Sequence, residues 1–253
     1  MNALFRLVTN EVGIIRDSFD TISSLVSEGT FHISKDGVKL VAIDPSNVAM
    51  VIFNLFSIAF SEYEVKEETP ITVNIEQLVK VLKRAKASDQ IVFQLDESKS
   101  RLMIQMLGTV KRYFSIPLIG TVESETKVPE FDRKFTTKIE LDAEILEDSI
   151  KDAEMISDSL TFEATKDKFV LYASGDSSEV RTELTRDSPS LISLDVSESS
   201  RAKYSIEYLS KAIKAAKIAD TLIIQFKTDF PIRLDFKAVD KLQISFIIAP
   251  RVD

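Results

Sequence analysis

The sequence predicts an α+β protein built from two duplicated domains, each an antiparallel sheet with two helices packed on one face. Three observations predict it. A residue pattern recurs at an offset of 131 positions in a chain of 253: Ile75, Glu76, Leu78, Lys80, Lys83, Ala85, Lys86, Asp89 and Gln94 return as Ile206, Glu207, Leu209, Lys211, Lys214, Ala216, Lys217, Asp220 and Gln225. The offset is collinear, because Thr30, Phe31, Lys35, Asp36 and Leu40 line up with Thr161, Phe162, Lys166, Asp167 and Leu171. Each half also reads helix, strands, helix, strands. A repeat this long marks duplicated domains rather than a solenoid of short units. Two copies related by a rotation suit closed, symmetric assembly.

Val12, Ile15, Phe19, Ile22 and Leu25 recur at helical spacing and predict a helix over residues 11–25. Strands over 30–33 and 38–43 flank the turn Ser34-Lys35-Asp36-Gly37, and 48–53 continues in β-branched and apolar residues. Asn74 can cap a helix over 75–87, followed by a meander of 90–95, 101–107 and 110–118. The second half repeats the order. Asp142 begins a helix to about Ile156, strands follow at 159–163, 168–173 and 179–185, Ser205 caps a helix to Lys217, and 222–226, 232–236 and 242–248 finish the chain. Residues 119–135 are polar, Pro-broken and aperiodic, so the expected division is a domain over 1–118, a connector over 119–135 and a domain over 136–253.

Composition narrows the function. The 44% hydrophobic content can build a core in each half, and no run approaches the ~18 apolar residues of a membrane span. The start MNALFRLVTNEVG lacks a signal-peptide pattern, and with no cysteine the expectation is a soluble cytoplasmic protein without disulfides or zinc fingers. A net charge of -8 argues against nucleic acid unless the basic residues gather on one face.

Lys80, Lys83 and Lys86 advance along one helix face, away from the stripe of Ile75, Leu78, Leu82 and Ala85, and the second copy keeps all three. On one helix this would be an ordinary solvated face. Kept in register by two copies of an acidic chain, it points to a shared surface facing phosphate, with sequence-independent and salt-sensitive binding. Glu144, Asp148 and Asp152 form an acidic stripe at i, i+4 and i+8, either solvated, a metal or acid-base site, or a salt-bridged subunit contact opposite Arg84, Lys86 and Arg112. The one histidine, His32, reads as a strand-face residue. No phosphate loop, G-x-S-x-G or H-E-x-x-H occurs, so the chain reads as no enzyme, with no catalytic residue, metal or cofactor.

Residues 37–50, GVKLVAIDPSNVAM, resemble the G-V-x-L-x-x-x-D-x-S-x-V signature of the sliding clamps called proliferating cell nuclear antigen. The ending Ala249-Pro250-Arg251-Val252, the pair Tyr208-Leu209, the Pro231 turn and Val128-Pro129-Glu130 fall in the family's order. LKRAK at 82–86 and Ile156-Ser157-Asp158-Ser159 resemble the archaeal members. The resemblance covers essentially the whole chain. It implies the DNA clamp fold, a trimeric ring around double-stranded DNA, and a processivity factor for DNA replication and repair that tethers DNA polymerase, clamp loader, flap nuclease and DNA ligase through short hydrophobic peptides. No membrane partner is implied, and the expected location is the nucleoid-associated cytoplasm.

By matching positions, the resemblance implies that Lys80, Lys83, Lys151 and Lys214 face DNA, with Arg16, Lys211 and Lys217 as neighbours. The family's basic positions at Asp148 and Met155 are lost here. Subunits would join strand 110–118 to strand 177–185, with Arg84, Lys86 and Arg112 opposite Glu144, Asp148 and Asp152, and with both sides in one chain a homotrimer is favoured. The partner-peptide pocket would take Ile43, Pro45, Asn47, Val48, Met50, Val128, Pro129, Phe131, Pro231, Ile247, Ala249 and Pro250. Arg133 stands where many clamps carry an aromatic, so Phe131 or Phe135 would serve instead, and some pocket residues, Ile43 included, would be plain core. The alternatives are an accessory or checkpoint-type clamp, a heterotrimer subunit, or a duplicated interaction scaffold that never encircles DNA.

Overall fold

The computed structural model describes residues 3–96, 100–120, 135–219 and 221–251. The chain divides into two compact units, one of Met1–Pro45, Val51–Lys127 and Ala238–Ile244, the other of Ser46–Met50, Val128–Lys237 and Ser245–Asp253.

The first half of the chain runs β1 (Phe5–Thr9), α1 (Val12–Ser23), β2 (Glu28–Ile33), β3 (Gly37–Ile43), β4 (Ala49–Phe56), β5 (Glu62–Val65), β6 (Thr69–Asn74), α2 (Ile75–Leu82), β7 (Gln90–Asp96), β8 (Arg101–Leu107) and β9 (Lys111–Pro117). One sheet has the order β5-β1-β7-β8-β9, and β4-β3-β2-β6 forms a second run of strands. The second half runs β10 (Thr137–Asp142), α3 (Ala143–Glu154), β11 (Ser159–Ala164), β12 (Lys168–Ser174), β13 (Glu179–Thr185), β14 (Leu191–Val196), β15 (Ser200–Ser205), α4 (Ile206–Ala212), β16 (Thr221–Phe226), β17 (Ile232–Ala238) and β18 (Leu242–Ile248). Its strand orders, β14-β10-β16-β17-β18 and β13-β12-β11-β15, reproduce those of the first half member for member. Element starts keep the 131-residue offset, with Glu28 and Ser159 opening β2 and β11, Ile75 and Ile206 opening α2 and α4, and Lys111 and Leu242 opening β9 and β18.

Each helix forms because its apolar residues fall on one stripe that the sheets can bury. On α1 the buried residues include Val12, Ile15, Phe19 and Ile22, on α2 they are Ile75, Leu78, Val79 and Leu82, and the two helices pack together. On α3 the stripe includes Ala143, Leu146, Ile150 and Ala153, and it meets Ile206, Leu209 and Ala212 of α4. The cores share one anchor and differ around it. Phe31 lies 5.2 Å from Phe19 and 6.4 Å from Phe53 between ring centres, whereas its repeat counterpart Phe162 packs 5.3 Å from Tyr204 and 6.1 Å from Phe226. At the turn into β3, Gly37 has φ 152°, and a Cβ there would overlap the Leu55 carbonyl, so the hairpin needs glycine.

Several expectations need correction. The helix expected over 11–25 stops at Ser23, and the helix over 75–87 ends at Leu82, after which Arg84 and Ala85 continue as tight i to i+3 turns. The helix over 205–217 is α-helical only to Ala212 and tightens into a 3-10 turn from Ile213 to Lys217. Strands β1, β5, β6, β10, β14 and β15 were not anticipated. The connector segment 121–134 lies outside the described residues. No described helix is long and apolar enough to cross a membrane.

The two repeat-related caps differ. Asn74 accepts a 2.8 Å hydrogen bond from the Gln77 amide, as expected, but the Ser205 side chain makes no cap bond. Asn74→Ala is therefore expected to cost about 1 kcal/mol and Ser205→Ala less than about 0.5 kcal/mol, read from denaturant midpoints. Equal losses would contradict the assigned caps.

Candidate functional site

The basic side chains expected to face phosphate divide by what holds them. Lys80 projects from the last turn of α2, exposed and without an ion pair among the described residues. Lys83, one residue past the helix, instead reaches Asp20 of α1 at 2.6 Å. In the second copy the pattern inverts. Lys211 is held by Glu207 at 2.6 Å and lies 4.7 Å above the Tyr208 ring, while Lys214 and Lys217 are exposed without an ion pair among the described residues. Arg16 hydrogen-bonds the adjacent Asp17 at 2.8 Å, and that bond raises its pKa. Lys151 binds Glu147 at 2.9 Å and Asp148 at 3.3 Å, which raises its pKa too. Of these seven cations, Lys80, Lys214 and Lys217 are thus the ones without an ion pair among the described residues, a distinction that spacing in the sequence cannot make.

Strand β9 is the last in its sheet, with β8 on one side, and β13 is the last in its own, beside β12. Val110 and Tyr113 by β9 are exposed at 68% and 61%, the pattern of an edge kept open. Arg84 and Lys86 are exposed and form no ion pair among the described residues. Arg112 is different. Its guanidinium binds the buried Asp89 carboxylate and donates to the Arg84 carbonyl at 2.7 Å, both inside its own unit. Glu144 and Asp152 on α3 are exposed, and Asp148 between them carries the Lys151 contact.

The residues expected to form a peptide pocket are only partly surface. In the second unit, the Ala249 amide donates to the Val48 carbonyl at 2.9 Å, tying the chain after β18 to the segment before β4. Met50 and Ile247 are buried and serve as core, whereas Val48, Pro231, Ala249 and Pro250 are half-buried and Asn47 is exposed in a left-handed conformation, φ 57°. In the first unit, Pro45 is exposed and Ile43 is 41% exposed, so Ile43 is not the core residue expected. Val128, Pro129, Phe131 and Arg133 lie outside the described residues. Phe135 packs edge-on to Phe230 at 6.0 Å, next to Pro231. The Phe230 carbonyl accepts a 2.7 Å bond from the Tyr204 hydroxyl, a buried brace under the Pro231 turn that sequence reading missed.

Residues 4–116 match the family model described as proliferating cell nuclear antigen, N-terminal domain, and residues 127–251 match its C-terminal domain. This chain belongs to the proliferating cell nuclear antigen family. A DNA polymerase sliding clamp of Nanoarchaeum equitans is 38% identical over 92% of this chain and 93% of its own length, and one of Thermococcus gammatolerans is 37% identical over 98% and 99%. The crystal structure of proliferating cell nuclear antigen from Thermococcus kodakaraensis superposes with a TM-score of 0.91 at 32% identity, over 98% of this chain and 100% of that one. A complex of two different such chains from Sulfolobus tokodaii contains a chain matching with a TM-score of 0.89 at 27% identity, over 98% of this chain and 100% of that one. The family's two-domain antiparallel architecture with four helices is the one described above.

Burial, with the Asp229 charge adding to it, raises the Tyr204 phenol well above its ordinary value of 10.0. The neutral phenol stabilises the fold below its unfolded value, and that contribution is lost as pH rises from there toward the folded value. Tyr204→Phe is expected to cost about 0.5–1.5 kcal/mol at neutral pH through the lost bond to Phe230. It should also flatten the alkaline loss of stability above about pH 10, read by urea unfolding across that range. An alkaline limb identical to wild type would contradict this role.

Proposed function

We propose that this chain is a DNA polymerase sliding clamp, a non-catalytic processivity factor whose copies close into a trimeric ring around duplex DNA in the nucleoid-associated cytoplasm. The observation that carries the reading is the match of both family domains across both halves of the chain. Unpaired lysines at the ends of α2 and α4 support it, since point charges on helices contact phosphate without reading bases. In this reading Lys80, Lys214 and Lys217 supply most of the grip, with Arg16, Lys83, Lys151 and Lys211 contributing less because carboxylates already hold them. In this reading the repeats are domains over 1–118 and 136–253 with 119–135 as connector, although the compact units exchange Ser46–Met50 and Ala238–Ile244 between them.

Ring closure joins β9 of one subunit to β13 of the next, and the cations Arg84 and Lys86 meet Glu144, Asp148 and Asp152. The half-buried Val48, Pro231, Ala249 and Pro250, with Phe135 beside them, take the apolar side chains of short partner peptides from polymerase, clamp loader, flap nuclease and ligase. The Sulfolobus tokodaii complex of two different chains favours one second reading, a subunit of a heterotrimer.

Light scattering at low and high salt tests the ring. A mass three times 28.4 kDa that falls in high salt is expected, and a monomer at every concentration would refute self-closure. The double variant Lys80→Glu, Lys214→Glu removes six lysines from a ring of three copies and is expected to keep that mass, to lower the salt slope of DNA binding by up to roughly 5, and to reduce polymerase stimulation on primed circular DNA. Unchanged stimulation would remove these lysines from the DNA-facing surface.

A further inference from the structure

We infer that Asp89 and Arg112 act as a positioning pair inside each subunit, holding Arg84 and Lys86 in place for the next subunit, and that Arg112 itself does not bridge subunits. The inference rests on the ring reading above.

Arg112 enters from β9, opposite Met106 of β8, with its side chain 27% exposed. One prong of its guanidinium binds Asp89, a carboxylate only 4% exposed, and the other donates to the Arg84 carbonyl at 2.7 Å. That carbonyl follows the end of α2, where unpaired C=O groups attract a cation. The same Asp89 carboxylate accepts a 2.8 Å bond from the Lys86 amide, and the Asp89 amide returns a 2.9 Å bond to the Lys86 carbonyl. The backbone beneath Arg84 and Lys86 is therefore pinned on both sides, while their side chains stay exposed and unpaired among the described residues. A buried carboxylate needs its cation, because leaving either one unpaired inside the fold is costly. The pair is thus unsuited to opening so that Arg112 can reach a neighbour.

Gly108 makes room for the pair, since a Cβ there would overlap Asp89 Oδ1. The second copy of the domain keeps Lys217 and Asp220 at the positions of Lys86 and Asp89 but not the other members: 131 positions on from Arg84, Gly108 and Arg112 stand Ala215, Val239 and Gln243. Ala215 is buried and Val239 is 82% exposed, so neither site there offers a cation or needs clearance. Among the described residues the network occurs in the copy that ends on the open edge β9.

Subunit dissociation constants against salt for Asp89→Asn, Arg112→Met and the double variant test the inference, with Arg84→Ala as reference. Each single variant is expected to weaken assembly about tenfold, the double no more than either single, with the salt slope of wild type retained. Arg84→Ala should lower that slope, because it removes a bridging charge. If Arg112 bridges directly, Arg112→Met lowers the slope as Arg84→Ala does, while Asp89→Asn leaves assembly unchanged or tighter by releasing Arg112. Either result overturns the inference. Should Asp89→Asn unfold the chain, Arg112→Lys decides: one charge with a single prong weakens assembly if the role is positioning and preserves it if the role is bridging. A wild-type chain that remains at 28.4 kDa would overturn the ring reading itself.

Discussion

Burial of one apolar stripe per helix decides where nearly every other side chain goes. Ile75, Leu78, Val79 and Leu82 on α2, and Ile206, Leu209 and Ala212 on α4, are each less than a tenth exposed. Burying a large apolar side chain contributes roughly 1.5–3 kcal/mol, against about 0–1 kcal/mol for an exposed ion pair. Packing therefore sets how each helix is rotated, and its lysines follow. With a period of 3.6 residues, fixing the Ile75 and Leu78 side inward sends Lys80 outward, and the same stripe in α4 does so for Lys211. The outward cations are a by-product of core geometry, which is why one repeat pattern carries both.

Much of this architecture is legible in the sequence. The 131-residue offset named the duplicated architecture, and strands 101–107, 179–185 and 242–248 have the bounds read from alternation alone. Three of the missed strands have separate physical causes. Phe5–Thr9 buries nearly every residue and so shows no alternation, Glu62–Val65 is only four residues long, and Leu191–Val196 loses its alternation where Ile192 is skipped in the pairing with β10. The sequence overextends the helix ends for another reason: Arg84–Ala85 and Ile213–Lys217 keep the helical spacing while the hydrogen bonds tighten to i+3. At the site, the sequence shows that Lys80, Lys83, Lys211 and Lys214 repeat, but not that Asp20 captures Lys83 while Glu207 captures Lys211. Long-range partners such as Asp20 leave no mark in local spacing.

The two copies have kept one backbone plan and divided the chemistry. Phe31 and Phe162 are the common anchor, yet Phe19 and Phe53 around the first are matched by Ile150 and Leu184 at the second, whose aromatic neighbours come instead from Phe169, Tyr204 and Phe226. Cores tolerate such exchange when volume and pattern are preserved. Surface positions are freer still, and there the copies part in kind: Arg112 with its buried carboxylate on β9, Gln243 at the same place on β18. A duplicated domain in a closing ring must present different edges to different neighbours, so divergence belongs at the edges and likeness in the helices.

Charge raises the last question, because a chain of net -8 is proposed to surround a polyanion. Arg16, Lys83 and Lys151 each sit within about 3 Å of a carboxylate, and at physiological salt, fields are screened over about 8 Å. Beyond that distance each pair is close to neutral, so in the proposed ring phosphate would meet mainly Lys80, Lys214 and Lys217. Few contacts per subunit mean weak, salt-sensitive attraction, since each phosphate contact adds only about 0.9 to the salt slope. A protein that held DNA by affinity would be poorly served by such economy. A closed ring holds it by linkage instead, and an inner surface whose charges are mostly neutralised by their own neighbours leaves little to resist sliding.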